Sequence, residues 1–223
     1  MSRKKLILTA IILALVLAIG GILAYFTDVD TKVNKFKMGN VDIEVIEPSW
    51  PGNPDTPGGE DKPVEDIVPN QEIPKDPQII NKGSNDIYAF AEVSVPYENI
   101  ILEGQTAATD KELFTYTVNP GWIEVGTASK DTAKKTFTHV YAYVGKEASD
   151  SNDKVKALKK NETTPAVFDK IKFIDIHETG NTTSSVQTTS LEVVVSGYGI
   201  QTTDLGTEST NPSDIWQLVK SVN

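Results

Sequence analysis

Apolar and polar positions alternate with a period of two along much of the chain. Within residues 41–46, Val41, Ile43 and Val45 share one face and Asp42, Glu44 and Ile46 hold the other, the pattern of a half-buried strand. Phe36 and Met38, just upstream, have the opposite parity, so Gly39-Asn40 between the two runs is expected to form a turn or bulge that resets the register. A longer run places Ile87, Ala89, Ala91, Val93 and Val95 on one face, with Tyr88 and Phe90 on the other, as expected for a strand in the interior of a sheet. Further strands are predicted at residues 114–118, 122–125, 137–144, 171–176 and 190–201. Pro69, Pro74 and Pro77 each remove a ladder donor and predict edge strands around them. Helical signals are few: the Lys-rich stretch between Asp150 and Lys160 is expected to form a short helix. A second helix should open at Asn211-Pro212-Ser213-Asp214, with Asn as cap, Pro in the first turn, and Ile215, Trp216, Leu218 and Val219 as its buried face. Many short strands and few helices predict an all-β antiparallel sandwich with short helical inserts.

The amino terminus breaks this pattern. Arg3, Lys4 and Lys5 precede the uncharged residues 6–23, which are followed by Ala24 and an abruptly polar chain from Thr27. A basic start, an apolar stretch, the Gly20-Gly21 break and a small residue describe a secretory signal peptide cut between Ala24 and Tyr25. The competing reading is a retained anchor, because 18 helical residues reach about 27 Å, barely a bilayer core. Residues 48–63 hold five prolines and almost no aliphatic side chain, and are expected to be a loop or linker, with Trp50 either docked on the domain or facing solvent. The resulting layout is a signal peptide at 1–24, an N-terminal strand segment at 25–47, a Pro/Gly-rich linker at 48–66 and a sandwich at 67–223.

Charge and composition narrow the chemistry. Three of the 21 basic residues lie before Ala24, where there is no acid, so the rest of the 223-residue chain holds 18 bases against all 31 acids, a net charge of −13. Such a body is unsuited to nucleic acid, whose binding depends on neutralising phosphates with Lys and Arg. No cysteine is present, so disulfides, thiol nucleophiles and Cys-ligated metals are excluded. Only His139 and His177 are present, without a His-Glu-x-x-His motif; His139 lies on the aromatic face of its predicted strand and is expected to have a hydrogen-bond partner. No nucleophile elbow, P-loop or dinucleotide fingerprint occurs. The acid pairs Asp28/Asp30 and Asp150/Asp153 lack EF-hand spacing and are expected to be solvated loops, and Asn161-Glu162-Thr163 and Asn181-Thr182-Thr183 match the short glycosylation acceptor. No catalytic residue, metal site or cofactor is expected.

Ala24-Tyr25-Phe26-Thr27-Asp28, then Asn34-Lys35-Phe36, then Gly39-Asn40-Val41-Asp42-Ile43, resembles the start of the TasA/camelysin family, which Gram-positive bacteria export through a SipW-type signal peptidase. Pro69, Lys75-Asp76-Pro77, Asn81-Lys82-Gly83-Ser84-Asn85-Asp86-Ile87-Tyr88, Tyr198-Gly199-Ile200-Gln201 and the terminal Trp216 resemble the same family in the same order. The resemblance implies a jelly-roll-like sandwich. It also implies a secreted protein of the biofilm matrix, with the signal peptidase as a partner and self-association into fibres by N-terminal strand donation. The candidate donor strand carries Phe36, Met38, Val41, Ile43 and Val45; joined to the body by a flexible linker, it need not be held by its own domain. Head-to-tail donation does not close and gives filaments. The alternatives are a camelysin-like surface metallopeptidase, for which no ligand set is found, and a membrane-tethered binding module if residues 6–23 are retained.

Overall fold

A computed structural model gives the fold and describes residues 40–51, 64–101, 106–145, 154–175 and 191–222. The chain divides after Met38 into two compact units, and the described residues all belong to the second, Gly39–Asn223. They form twelve strands and one helix: β1 (Ile43–Ile46), β2 (Glu72–Pro74), β3 (Gln78–Asn81), β4 (Ile87–Ile100), β5 (Thr109–Glu112), β6 (Phe114–Tyr116), β7 (Trp122–Glu124), β8 (Ser129–Asp131), β9 (Thr136–Tyr143), β10 (Ala157–Leu158), β11 (Lys170–Phe173), β12 (Val194–Gln201) and α1 (Pro212–Val222). Every strand pairing is antiparallel. The fold is an all-β, sandwich-like arrangement with one short C-terminal helix.

β4 is the spine. Residues 90–94 pair with β12 and with β9 at once, so these two strands lie on opposite edges of β4, and β10 and β5 pair with its two ends. β7 and β8 extend the sheet beyond β9. Two smaller sheets, β2-β11-β6 and β1-β3, stand apart from this one. The alternation along β4 explains the layering. Ile87, Ala89, Ala91, Val93 and Val95 are fully buried in the larger core with Ile73, Ile79, Phe114, Ile171 and Phe173 from the small sheets. Phe90, from the opposite face, enters a second core with Ile200, Ile215, Trp216 and Val219, where α1 covers the sheet. Trp216 sits 5.4 Å from the Phe90 ring and edge-on to Tyr198 at 5.3 Å.

α1 starts as its sequence dictates. The Asn211 Oδ1 accepts the Ser213 N–H at 2.9 Å, Pro212 occupies the first helical position, and Ile215, Trp216 and Val219 are buried while Leu218 is half-buried. Pro74 closes β2, an edge strand of its sheet, as the missing donor requires. The helix expected between Asp150 and Lys160 is not formed over its described part. Ala157 and Leu158 are instead strand β10, paired with Tyr88 and Ile87, because Leu158 gains complete burial against the β4 core face and Val155 enters the second core. Lysines 156, 159 and 160 carry helix-compatible propensity, but tertiary burial of two apolar residues outweighs a preference of a few tenths of a kcal/mol each. Three short strands (β5, β8 and β10) carry too little alternation to be seen in sequence. β5 reads Thr-Asp-Lys-Glu and β8 Ser-Lys-Asp, extended only because β4 and β9 offer them backbone partners.

Candidate functional site

The alternating run at residues 41–46 is seated on its own domain. β1 pairs with β3 in the register Ile43↔Asn81, Glu44↔Ile80, Val45↔Ile79 and Ile46↔Gln78. Its apolar face, Val41, Ile43 and Val45, lies over β12 where that strand has no side chains. A Cβ built on Gly197 would stand 2.6 Å from the Val45 Cγ2 and 3.3 Å from the Ile43 Cδ1; one on Gly199 would stand 3.0 Å from the Ile43 Cγ2 and 3.4 Å from the Val41 Cγ1. Glycine within a strand costs stability, and two at alternate positions mark a place where another chain segment must come close. Val45 and Ile43 thereby join the edge of the larger core.

Both ends of the strand are fastened. At the first, the Asp42 carbonyl accepts the N–H groups of Lys82 (2.8 Å) and Gly83 (2.9 Å), and Asn40 exchanges bonds with Ser84. Gly83 must be glycine, since its Cβ would lie 2.5 Å from the Asn40 carbonyl oxygen. This turn is held from inside by buried Asn81, whose Oδ1 accepts the Gly83 N–H and whose Nδ2 donates to the carbonyls of Asn85 and Leu158. At the other end Lys75 donates to both carboxylate oxygens of Glu47, at 2.7 and 2.8 Å, and its ammonium lies 5.0 Å from the Trp50 ring centroid. The Lys75 side chain is only 8% exposed. Ser49 adds two bonds to the Asp76 carboxylate, and Trp50 packs half-buried against the core, docked rather than solvent-facing. Of the sequence-predicted site residues, Val41, Ile43 and Val45 are brought together here; Ala24, Tyr25, Phe36 and Met38 lie outside the described residues. Sequence reading passed over Lys75 and Glu47 as a pair and over Gly197 and Gly199, although alternate glycines inside a β-branched strand were a usable signal.

The second cluster surrounds His139 on β9. Its Nε2 is 2.6 Å from Glu112 and its Nδ1 2.8 Å from Glu124. Two carboxylates can both accept only from an imidazolium, which has two N–H groups, so the hydrogen bond to Glu112 foremost and that to Glu124 raise the His139 pKa against the opposing effect of burial. The Tyr141 ring stacks on the imidazole, Tyr116 meets it edge-on, and the two tyrosine hydroxyls are 2.9 Å apart. Burial pushes the Tyr116 hydroxyl far up and the Tyr141 hydroxyl up to about 12, so both stay protonated.

The family model described as camelysin metallo-endopeptidase matches residues 3–112. Over this stretch the chain belongs to the TasA/camelysin family. No curated protein and no solved structure matches it. The family match takes in β1 through β5, with Val41, Ile43, Val45, Glu47 and Lys75, and stops at Glu112. A metal implied by the family's description does not fit the residues present. The matched stretch contains neither histidine nor cysteine, since His139 and His177 both follow it. His139 has both ring nitrogens engaged by carboxylates and so presents no lone pair, and among the described residues no group of three His, Cys, Asp or Glu is placed to hold a metal ion.

Proposed function

We propose that this is a secreted or surface protein, as its match to the camelysin family suggests, that it is a structural protein of the extracellular or biofilm matrix, and that copies assemble into filaments by passing the N-terminal strand from one to the next once a signal peptidase has removed residues 1–24. The observation that carries this reading is the way β1 is attached. It fills a slot on the domain through a four-residue register and an apolar face, yet residues 48–63 lie between it and Val64 and Ile67, which pack on the core. A tether of that length spans up to about 55 Å extended, against a radius of gyration of about 16 Å for a domain of this size. A strand held by non-covalent contacts on so long a tether can occupy the equivalent slot of a neighbour, and donation in one direction propagates without closing. The net charge of −13 on the exported body keeps copies soluble before assembly.

The test is electron microscopy of the protein purified from the producing cell with its natural N-terminus, its first residue fixed by mass spectrometry. Filaments are expected, and deletion of residues 26–47 is expected to abolish them. Protein with the intact N-terminus that stays monomeric across pH and concentration refutes the proposal.

A further inference from the structure

Resting on the strand-exchange reading above, we propose that the walls of the slot filled by β1 select one register for the strand they receive, with Gly197 and Gly199 rejecting odd slips and the buried Lys75 rejecting even ones. The floor of the slot is bare backbone at Gly197 and Gly199, and the side chains over it are Val41, Ile43 and Val45. A slip of one residue turns Asp42 and Glu44 onto this floor and against the larger core, where neither carboxylate has a partner. A slip of two keeps the same parity over the floor, with Gly39 entering at one end or Glu47 at the other, so the glycines alone do not exclude the first of these. Lys75 does. Two residues of strand displace Glu47 by about 6.6 Å, well beyond ion-pair reach, and bring Val45 or Ser49 to the lysine instead.

Glu47 is the single carboxylate in residues 41–47 that shares the parity of the three apolar residues, because Asp42 and Glu44 are odd steps away from it. A correctly seated strand therefore presents its apolar face to the glycines and a carboxylate to the ammonium at the same time, and no other alignment of this segment does both. Burial makes the selection strong. A lysine side chain 8% exposed is costly without a counter-charge, so a vacated slot favours an incoming strand that delivers one at that point. By contrast Lys82 and Glu44, paired at 2.9 Å but both about half exposed, contribute little to the choice.

The experiment uses the whole protein carrying Ile43→Asp, which unseats its own strand, and a fluorescent peptide of residues 40–51 as probe, with binding read by anisotropy. The wild-type peptide is expected to bind, and a Glu47→Gln peptide to bind about tenfold or more weakly. On a host that also carries Lys75→Met, the two peptides are expected to bind alike. Equal binding of the two peptides to the host that retains Lys75 overturns the selection rule, while leaving strand exchange standing if filaments still form. Filaments without any peptide binding place the acceptor elsewhere and overturn the proposal. Absence of both filaments and peptide binding removes the strand-exchange reading with it. Should Ile43→Asp fail to fold, as judged by near-ultraviolet circular dichroism, Val45→Asn supplies a milder unseated host for the same comparisons.

Discussion

Gly197→Ala tests the seating of β1 most directly, because its sign depends on one partner atom. Alanine is better than glycine in a strand by about 0.5–1 kcal/mol, so in open surroundings the change stabilises. Here the new methyl would stand 2.6 Å from the Val45 Cγ2, a separation at which something must shift, with the Ile43 and Ile79 side-chain tips at 3.3 and 3.5 Å able to give way. Overpacking of this kind costs about 1–3 kcal/mol, and the net expectation is a loss of about 1–2 kcal/mol. In a Val45→Ala background the clashing methyl is absent. There Gly197→Ala should be neutral or stabilising by about 0.5 kcal/mol, although Val45→Ala itself costs up to about 1.6 kcal/mol for two methyl groups. The coupling between the two sites is then about 1–2.5 kcal/mol, several times the deviation tolerated for independent positions. Urea unfolding of the four proteins reads it: with m near 1–3 kcal/mol/M, a loss of about 1.5 kcal/mol moves the midpoint by roughly 0.5–1.5 M. Additive effects within about 0.5 kcal/mol would refute the packing of Val45 on Gly197 and, with it, the position assigned to β1.

Two further changes probe other parts of the molecule. The folded-state pKa of His139 is raised, so its contribution to stability is complete below the unfolded value near 6.5 and is lost as pH rises through the folded value. Unfolding midpoints from pH 5 to pH 9 should therefore show the advantage of wild type over His139→Gln shrinking as pH increases, and parallel profiles for the two proteins would remove the Glu112–His139–Glu124 linkage. Asn211→Ala deletes the cap of α1 and should cost about 1 kcal/mol, with Asn211→Ser restoring most of it, measured by the same urea titration.

Local alternation made much of the fold legible. The faces of β4, the positions of β6, β7, β9, β11 and β12, and the cap and buried face of α1 follow from neighbours two or three residues apart, and all were readable without coordinates. β5 and β8 were not, since nothing in Thr-Asp-Lys-Glu or Ser-Lys-Asp favours a strand until β4 and β9 supply hydrogen-bond partners. The helix expected near Lys160 failed for the related reason that Leu158 has a distant core to enter. His139 was recognisable as a strand residue with a partner, but its partners come from β5 and β7, at sequence separations of 27 and 15 residues.

The candidate site divides the same way. By itself the sequence determined that residues 41–46 form a two-faced strand with Val41, Ile43 and Val45 on one side, that a proline-rich stretch follows, and that neither cysteine nor a histidine motif is available for metal chemistry. Only the tertiary structure decided where that strand sits, because its seat is assembled from β3, from Lys75 and from two glycines more than 150 residues further along the chain. Periodicity records which side of a strand is apolar; it carries no record of what covers it. A glycine that admits a neighbour and a lysine buried against a carboxylate acquire those roles only when the chain folds back on itself, since close approach and desolvation are properties of pairs distant in sequence.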